Sequence, residues 1–321
     1  MPPNTAFLAC RLFCLALAFV GNAAHAQLGQ RVKAVQGVDV QKLANGILGI
    51  MSYTVAPDVT TSSLSVSNAA TASPGLSMSQ VGGGFTLSKN TPLYLEGNAA
   101  YSRYDPVFLA NDGSTARLVP VKWNSVSATG GIGWDFALAE HWVVRPIFNF
   151  TLGYVASDLA GLKWWVDNNT DLDLSFLDGR RLKAYGLGGA LMFDYEKFAP
   201  EHDDDIEIRY TNVALKSYSD TPGGVVGEAK AESASVWART RVPTGWGVVW
   251  DRPVRYVYEA ALTEFMGDQR ELGLKWMASL GFGLELDSSA LERWATRWRF
   301  VARYKFGPDV KGWATGLAIS F

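Results

Sequence analysis

The chain has almost no thiol chemistry to offer. Only two cysteines occur in 321 residues, Cys10 and Cys14, and both fall in an amino-terminal stretch that reads as a secretory leader. Arg11 precedes an apolar run over residues 12–21, and Ala24-His25-Ala26 supplies the small residues a signal peptidase needs, so cleavage is expected before Gln27. The expected mature chain then has no cysteine, which excludes disulfides and thiol catalysis. Histidine is nearly as scarce, with three in all, one of them in the leader. Long apolar runs are also missing. Beyond the leader no run of 18 apolar residues occurs, so no helix is expected to cross a membrane. A chain of this kind that enters a bilayer must do so as a closed barrel, because only helices and barrels satisfy every backbone group in lipid. An excess of one charge is absent too: 29 Lys and Arg face 31 Asp and Glu, a balance that gives no reason to expect nucleic acid as a partner.

Aromatic residues and glycine are what the chain has in quantity, with 12 Trp, 12 Tyr, 16 Phe and 32 Gly. Their arrangement is clearest at the carboxyl end. Over residues 310–321, alternate positions Lys311, Trp313, Thr315, Leu317, Ile319 and Phe321 form one face, and Gly312, Ala314, Gly316, Ala318 and Ser320 form the other. A period of two predicts a strand. Its second face is small rather than charged, unlike the outer face of a soluble sandwich strand. Trp313 and Phe321 bracket the apolar face about 20 Å apart along a membrane normal, close to the height of a lipid-facing band between two aromatic girdles. Trp313, Leu317, Ile319 and Phe321 therefore read as the signal of a barrel-closing strand.

Alternating segments recur along the rest of the chain. Twelve strands are expected, at 59–68, 78–88, 93–103, 125–138, 142–155, 182–195, 205–215, 234–242, 254–263, 271–286, 297–306 and 310–321. Connections after the second, fourth and sixth are short, and those after the third, fifth and seventh are long. This is the phase of an antiparallel up-and-down barrel with both termini on the short-turn side. Residues 27–58 precede the barrel. There Val40, Leu43, Ala44, Ile47, Leu48, Ile50 and Met51 recur at helical spacing, which predicts a short amphipathic helix. The expected organisation is a leader over 1–26, a periplasmic or lumen segment over 27–58, and an all-β transmembrane barrel over 59–321. That segment is expected either to enter the lumen from the periplasmic side and narrow it or, by its apolar stripe of Val40, Leu43, Ile47 and Ile50, to lie on the periplasmic leaflet or bind a partner.

In length, in Pro57-Asp58-Val59-Thr60-Thr61-Ser62-Ser63-Leu64 ahead of the first strand, and in the terminal Gly316-Leu317-Ala318-Ile319-Ser320-Phe321, the chain resembles the solitary outer-membrane β-barrels related to autotransporter translocator domains. The resemblance implies the barrel architecture and the pore helix, with outer-membrane lipid and the outer-membrane assembly machinery as partners. It does not imply passenger export, since only residues 27–58 stand where a long passenger would.

Catalysis finds little support. Barrel hydrolases activate a serine or a water with histidine, whereas His141 and His202 both fall in expected short turns, at the wrong end for outer-leaflet chemistry. Gly82-Gly83-Gly84, Gly130-Gly131-Ile132-Gly133 and Gly186-Leu187-Gly188-Gly189 lie inside alternating strands, not between a strand and a helix as a phosphate loop requires. Asp167, Asn169, Asp171, Asp173 and Asp178 are read as a solvated loop, because Leu172 stands where a calcium loop needs glycine. No cofactor and no metal are expected. Glu201, Asp203, Asp204 and Asp205 are read as a hydrated turn.

The informative constellation is basic. Arg239, Arg241, Arg255, Lys275, Arg297, Arg299, Arg303 and Lys305 share the face opposite the lipid, answered mainly by Glu259, Glu271 and Glu285. A dry core would not tolerate isolated cations. The wall is therefore either a salt-bridge network reaching acids such as Glu96, Asp135, Asp194 and Glu207, or a lumen path for a small anionic solute such as an acidic oligosaccharide.

Overall fold

The computed structural model describes residues 33–35, 45–46, 48–49, 51–55, 63–70, 77–104, 107–111, 116–120, 122–158, 181–218, 226–249, 252–270, 275–287, 297–308 and 310–320. Their strands, in chain order, are β1 Lys33–Val35, β2 Ser63–Ala70, β3 Ser77–Thr86, β4 Leu93–Tyr104, β5 Val107–Asn111, β6 Ala116–Pro120, β7 Lys122–Trp134 and β8 Phe136–Ala139. There follow β9 Trp142–Asp158, β10 Arg181–Phe198, β11 Asp203–Ser217, β12 Glu228–Val249, β13 Arg252–Phe265, β14 Trp276–Asp287, β15 Arg297–Gly307 and β16 Val310–Ser320. Twelve of them, β2, β3, β4, β7 and β9 to β16, pair antiparallel in one sheet. Because β16 pairs with β2 and β9 also pairs with β10, the ladder closes on itself. β8 is a short return strand on β9, while β1, β5 and β6 form a separate three-stranded sheet.

The register sets the width of the barrel. From Lys197 on β10, the Cα partners run through Asp204, Thr240, Tyr258, Phe282, Ala302 and Thr315 to Asn68. They continue through Ser79, Tyr101, Val126 and Tyr154 and return to β10 at Lys183, fourteen residues from the start. With twelve strands about 4.8 Å apart and a rise of about 3.3 Å per residue, that stagger tilts the strands by about 39° and gives a backbone radius of roughly 12 Å. A helix about 10 Å across fits within such a ring where the wall side chains are small.

Polarity is reversed relative to a soluble barrel. Along β11 the buried residues are Asp203, Asp205, Glu207, Arg209, Thr211 and Val213, while Ile208 is 42% exposed and Tyr210 40%. The same inversion holds on β9, where Arg145, Asn149 and Thr151 are buried and Phe148, Phe150 and Leu152 are exposed. The outer surface thus carries an apolar belt and the charges line the lumen. Aromatic contacts edge this belt: Tyr304 packs on Trp313 at 5.1 Å and near Phe306 at 5.9 Å, and Trp246 meets Tyr256 at 5.3 Å. Trp313 is 62% exposed and Leu317 half-buried, on the face opposite buried Ala314 and Ala318. Ile319 pairs through its backbone with Trp298 and Leu64, and Phe321 lies outside the described residues.

Strand ends shift by several residues along the chain, and three differences from the sequence reading bear on the wall. The expected single strand over 125–138 is β7 followed by β8, which folds back on β9 with a register shift between Ala137 and Ala139. The expected link over 243–253 is mostly hairpin, since β12 continues to Val249 past an irregularity between Pro243 and Val248. Pro243 has no N–H to give the ladder, so pairing breaks there and resumes beyond. The third concerns Lys275, which stands before β14 rather than in it and is exposed. The acidic residues read as a solvated loop, over 167–178, lie outside the described residues.

Candidate functional site

The lumen has two levels. Toward the end where short turns join β3 to β4, β10 to β11 and β12 to β13, charged side chains from eight strands interlock. Arg209 on β11 donates both terminal nitrogens to Glu96 on β4, each at 2.8 Å, and its Nε to the Thr211 hydroxyl at 3.0 Å. Asn149 on β9 adds a bond to Glu96 Oε1 at 2.6 Å, and a β-carbon on the intervening Gly131 would overlap both partners. Arg145 lies 3.9 Å above the Tyr94 ring, reaches Asp194 at 3.1 Å and contacts Asp135, whose carboxylate also accepts from Thr86 at 2.6 Å. On the other wall Arg239 holds Asp205 at 2.8 Å, Arg241 reaches Asp205 at 3.3 Å and Glu285 at 3.5 Å, and Arg299 holds Glu285 at 2.5 Å. Arg303 holds Glu259 at 2.7 Å, and Arg255 contacts Asp203. Apart from Arg255, whose side chain is partly exposed, these charges are out of bulk water, so each needs its partner.

Set against the sequence reading, five of the eight basic-wall residues, Arg239, Arg241, Arg299, Arg303 and Lys305, are buried in the lumen. Arg255 and Arg297 are half-exposed at the short-turn end, and Lys275 is outside the wall at the opposite end. Glu259 and Glu285 are partners as expected, and Glu271 lies outside the described residues. Glu96, Asp135 and Asp194 do carry ion pairs, but with Arg209 and Arg145, which the basic wall had not included. The reading of Asp203 and Asp205 as hydrated turn residues is corrected: both are buried and serve Arg255, Arg241 and Arg239. The signal was present, since Asp203, Asp205, Glu207 and Arg209 alternate with Asp204, Ile206, Ile208 and Tyr210.

Toward the long-loop end the contents change. Asn45, Gly46, Leu48, Gly49, Met51 and Ser52 take helical backbone; Val40, Leu43, Ala44, Ile47 and Ile50 lie outside the described residues. Thr54 closes this turn by bonding to the Met51 carbonyl through its N–H at 2.9 Å and its hydroxyl at 2.7 Å. It also touches the barrel wall. Its hydroxyl pairs with Ser127 on β7 at 2.7 Å, and its carbonyl accepts from Asn98 on β4 at 2.7 Å. Met51 is completely buried and fills the space a side chain at Gly153 on β9 would occupy. Tyr53 stacks edge-on with Phe265, the last residue of β13, at 5.5 Å. Asn45 accepts from the backbone N–H of Glu228, the first residue of β12, at 3.0 Å. Asn45 therefore meets the long-loop end and Thr54 meets the middle of the wall. From Asn45 to Thr54 the segment runs from the long-loop end toward the middle of the wall. Beyond Asn45 toward the amino end, β1 pairs in parallel with β5, which belongs to the loop between β4 and β7.

His202 sits 3.2 Å from Asp204 and His141 3.6 Å from Glu140, both at short turns. Among the described residues no group of three or more His, Asp or Glu is placed to hold a metal ion.

No family model matches the chain, and no curated protein does. Solved structures do resemble it in outline. The transport unit of the autotransporter AIDA-I from Escherichia coli is 9% identical, with 87% of this chain and 98% of that one covered, at a TM-score of 0.44. The β domain of the Bordetella autotransporter BrkA is 11% identical over 81% and 99%, at 0.43. The NanC porin is 10% identical over 80% and 98%, at 0.38. At these values the fold assignment rests on the closed strand ladder itself, which is an antiparallel barrel of twelve strands.

Proposed function

We propose that this chain is a non-enzymatic outer-membrane β-barrel that is closed by its own amino-terminal segment and carries the upstream residues to the cell surface. The single observation behind the reading is the pair of Thr54 contacts, to Ser127 and to Asn98, on inward positions of two different wall strands. A ring of roughly 12 Å backbone radius leaves a central space into which a helix about 10 Å across fits. Outer-membrane barrels put short turns in the periplasm and long loops outside. Asn45 then lies at the outer mouth, and the chain descends through the lumen before β2 begins at the periplasmic edge. The apolar belt would face outer-membrane lipid, and the closing strand would be read by the assembly machinery after export and leader cleavage. The apolar Leu48, Met51 and Val55, which a water-filled lumen would not welcome, are all buried.

The alternative, a narrow anion-preferring channel with a basic wall, loses its main support once Arg239, Arg241, Arg299 and Arg303 are matched to carboxylates. Planar-bilayer conductance separates the two. The full mature chain should conduct poorly, and a correctly folded variant lacking residues 27–53 should conduct several-fold better. Equal conductance in the two would refute closure by the segment.

A further inference from the structure

The short-turn mouth carries a feature that neither the closed barrel nor the ion-pair floor uses. Phe198, the last residue of β10, is 57% exposed although its neighbours in phase, Met192 and Asp194, are buried on the lumen side. Two guanidinium groups lie over its ring from different strands: Arg241 of β12 at 5.5 Å and Arg297 of β15 at 5.9 Å. Arg241 is tied to a third through a shared carboxylate, since both Arg241 and Arg255 of β13 approach Asp203 Oδ2. Guanidinia from two strands thus lie over one open aromatic face, and a third is joined to them through Asp203, the Cα partner of Phe198.

Their donor capacity is not used up. A guanidinium has five N–H groups. Among the described residues Arg255 makes one hydrogen bond, to Asp203, and Arg297 approaches the Asp287 carboxylate at 4.0 Å. Their side chains remain 23% and 28% exposed, in contrast to 2% for Arg241 and Arg299 behind them. Cations gathered this closely repel one another, and an anion between them relieves that repulsion. Planar forks suit phosphate or carboxylate in bidentate fashion, and the exposed phenyl face offers stacking for whatever carries the anion.

We propose that Arg255, Arg297 and Phe198 form a binding site for a soluble anion, a phosphate or carboxylate borne on an aromatic or apolar body, that enters from the short-turn side. The residues stand on inward-facing positions, so a bilayer headgroup on the outer wall is not placed to reach them. This site does not depend on the placement of the amino-terminal segment, and conductance does not report on it.

The test uses the full mature chain folded in a neutral detergent, with phenyl phosphate and inorganic pyrophosphate titrated by calorimetry. Both should bind saturably. Arg255→Ala with Arg297→Ala should weaken both at least tenfold, and the double Lys variant, which keeps the charge but loses the fork, should fall between. Phe198→Ala should weaken phenyl phosphate about threefold or more and leave pyrophosphate unchanged. Folding of each variant is checked by its shift in gel mobility on heating. Absence of saturable binding, or equal affinity in the wild type and the double Ala variant, would overturn the proposal, and equal losses for both probes in Phe198→Ala would remove the stacking role.

Discussion

The two levels of the lumen solve the same filling problem with different chemistry. Near the short turns, the wall fills its own interior with long charged side chains, and Glu96–Arg209 and Glu285–Arg299 cross from strand to strand. Near the long loops, the wall is small and neutral, with Ser125, Ser127, Gly153 and Ala184, and the space is taken by a separate piece of chain. Paired charges are stiff, since removing one partner strands the other. Small hydroxyl and glycine positions are the kind of surface over which a chain can be inserted. The contrast suggests a fixed floor and an occupied upper chamber.

The largest effect should come from breaking the floor. Glu96→Ala leaves Arg209 buried without its bidentate partner and should cost about 3–5 kcal/mol, read as a large drop in the temperature at which the folded gel band is lost. Glu96→Leu combined with Arg209→Met should recover most of that, because a buried pair is replaceable by apolar residues of similar volume. If the single and double variants are equally damaged, the pair is not what holds that level. A smaller cost is expected in the upper chamber. Gly153→Leu collides with Met51 and should destabilise by about 1–3 kcal/mol or expel the segment, in which case conductance rises. An unchanged melting temperature with unchanged conductance would show that Met51 does not press on β9.

At the closing strand, Phe321→Asp should reduce the amount of folded barrel in the outer membrane several-fold while leaving the thermal stability of what assembles close to wild type. Normal levels would show that the end of β16 is not a recognition signal. The smallest effect belongs to the exposed rim. Lys216 and Glu228 meet at 3.0 Å with half or more of each side chain in solvent, and Lys216→Ala should leave the melting temperature unchanged within error.

Much of the barrel was legible in the sequence because period-two alternation with an apolar outer face is a direct consequence of lipid outside and water inside. Strand β15 begins at Arg297 and β9 at Trp142, as the alternation places them. Lumen partners were harder to read. Arg145 and Arg209 have the inward phase but sit among residues whose apolar face drew the eye, and Asp203 and Asp205 adjoin a turn whose acidic neighbours Glu201 and Asp204 face water or its edge. Pair identities depend on the fourteen-residue stagger, which joins Glu96 to Arg209 across 113 positions, and no local pattern encodes it. The direction of the amino-terminal segment was equally hidden, since helical spacing describes a stripe and not the mouth through which it passes.

The most direct test of the occupied chamber exploits the lack of cysteine in the expected mature chain. The hydroxyls of Thr54 and Ser127 are 2.7 Å apart, so cysteines at both positions fall within reach of a disulfide. Thr54→Cys with Ser127→Cys, exported through the oxidising periplasm, should give a folded barrel with no free thiol, a mass lower by two hydrogen atoms than the dithiol, and low conductance that rises on reduction only if the segment then leaves. A heat-modifiable, correctly folded barrel in which both thiols remain free and reactive would contradict the account.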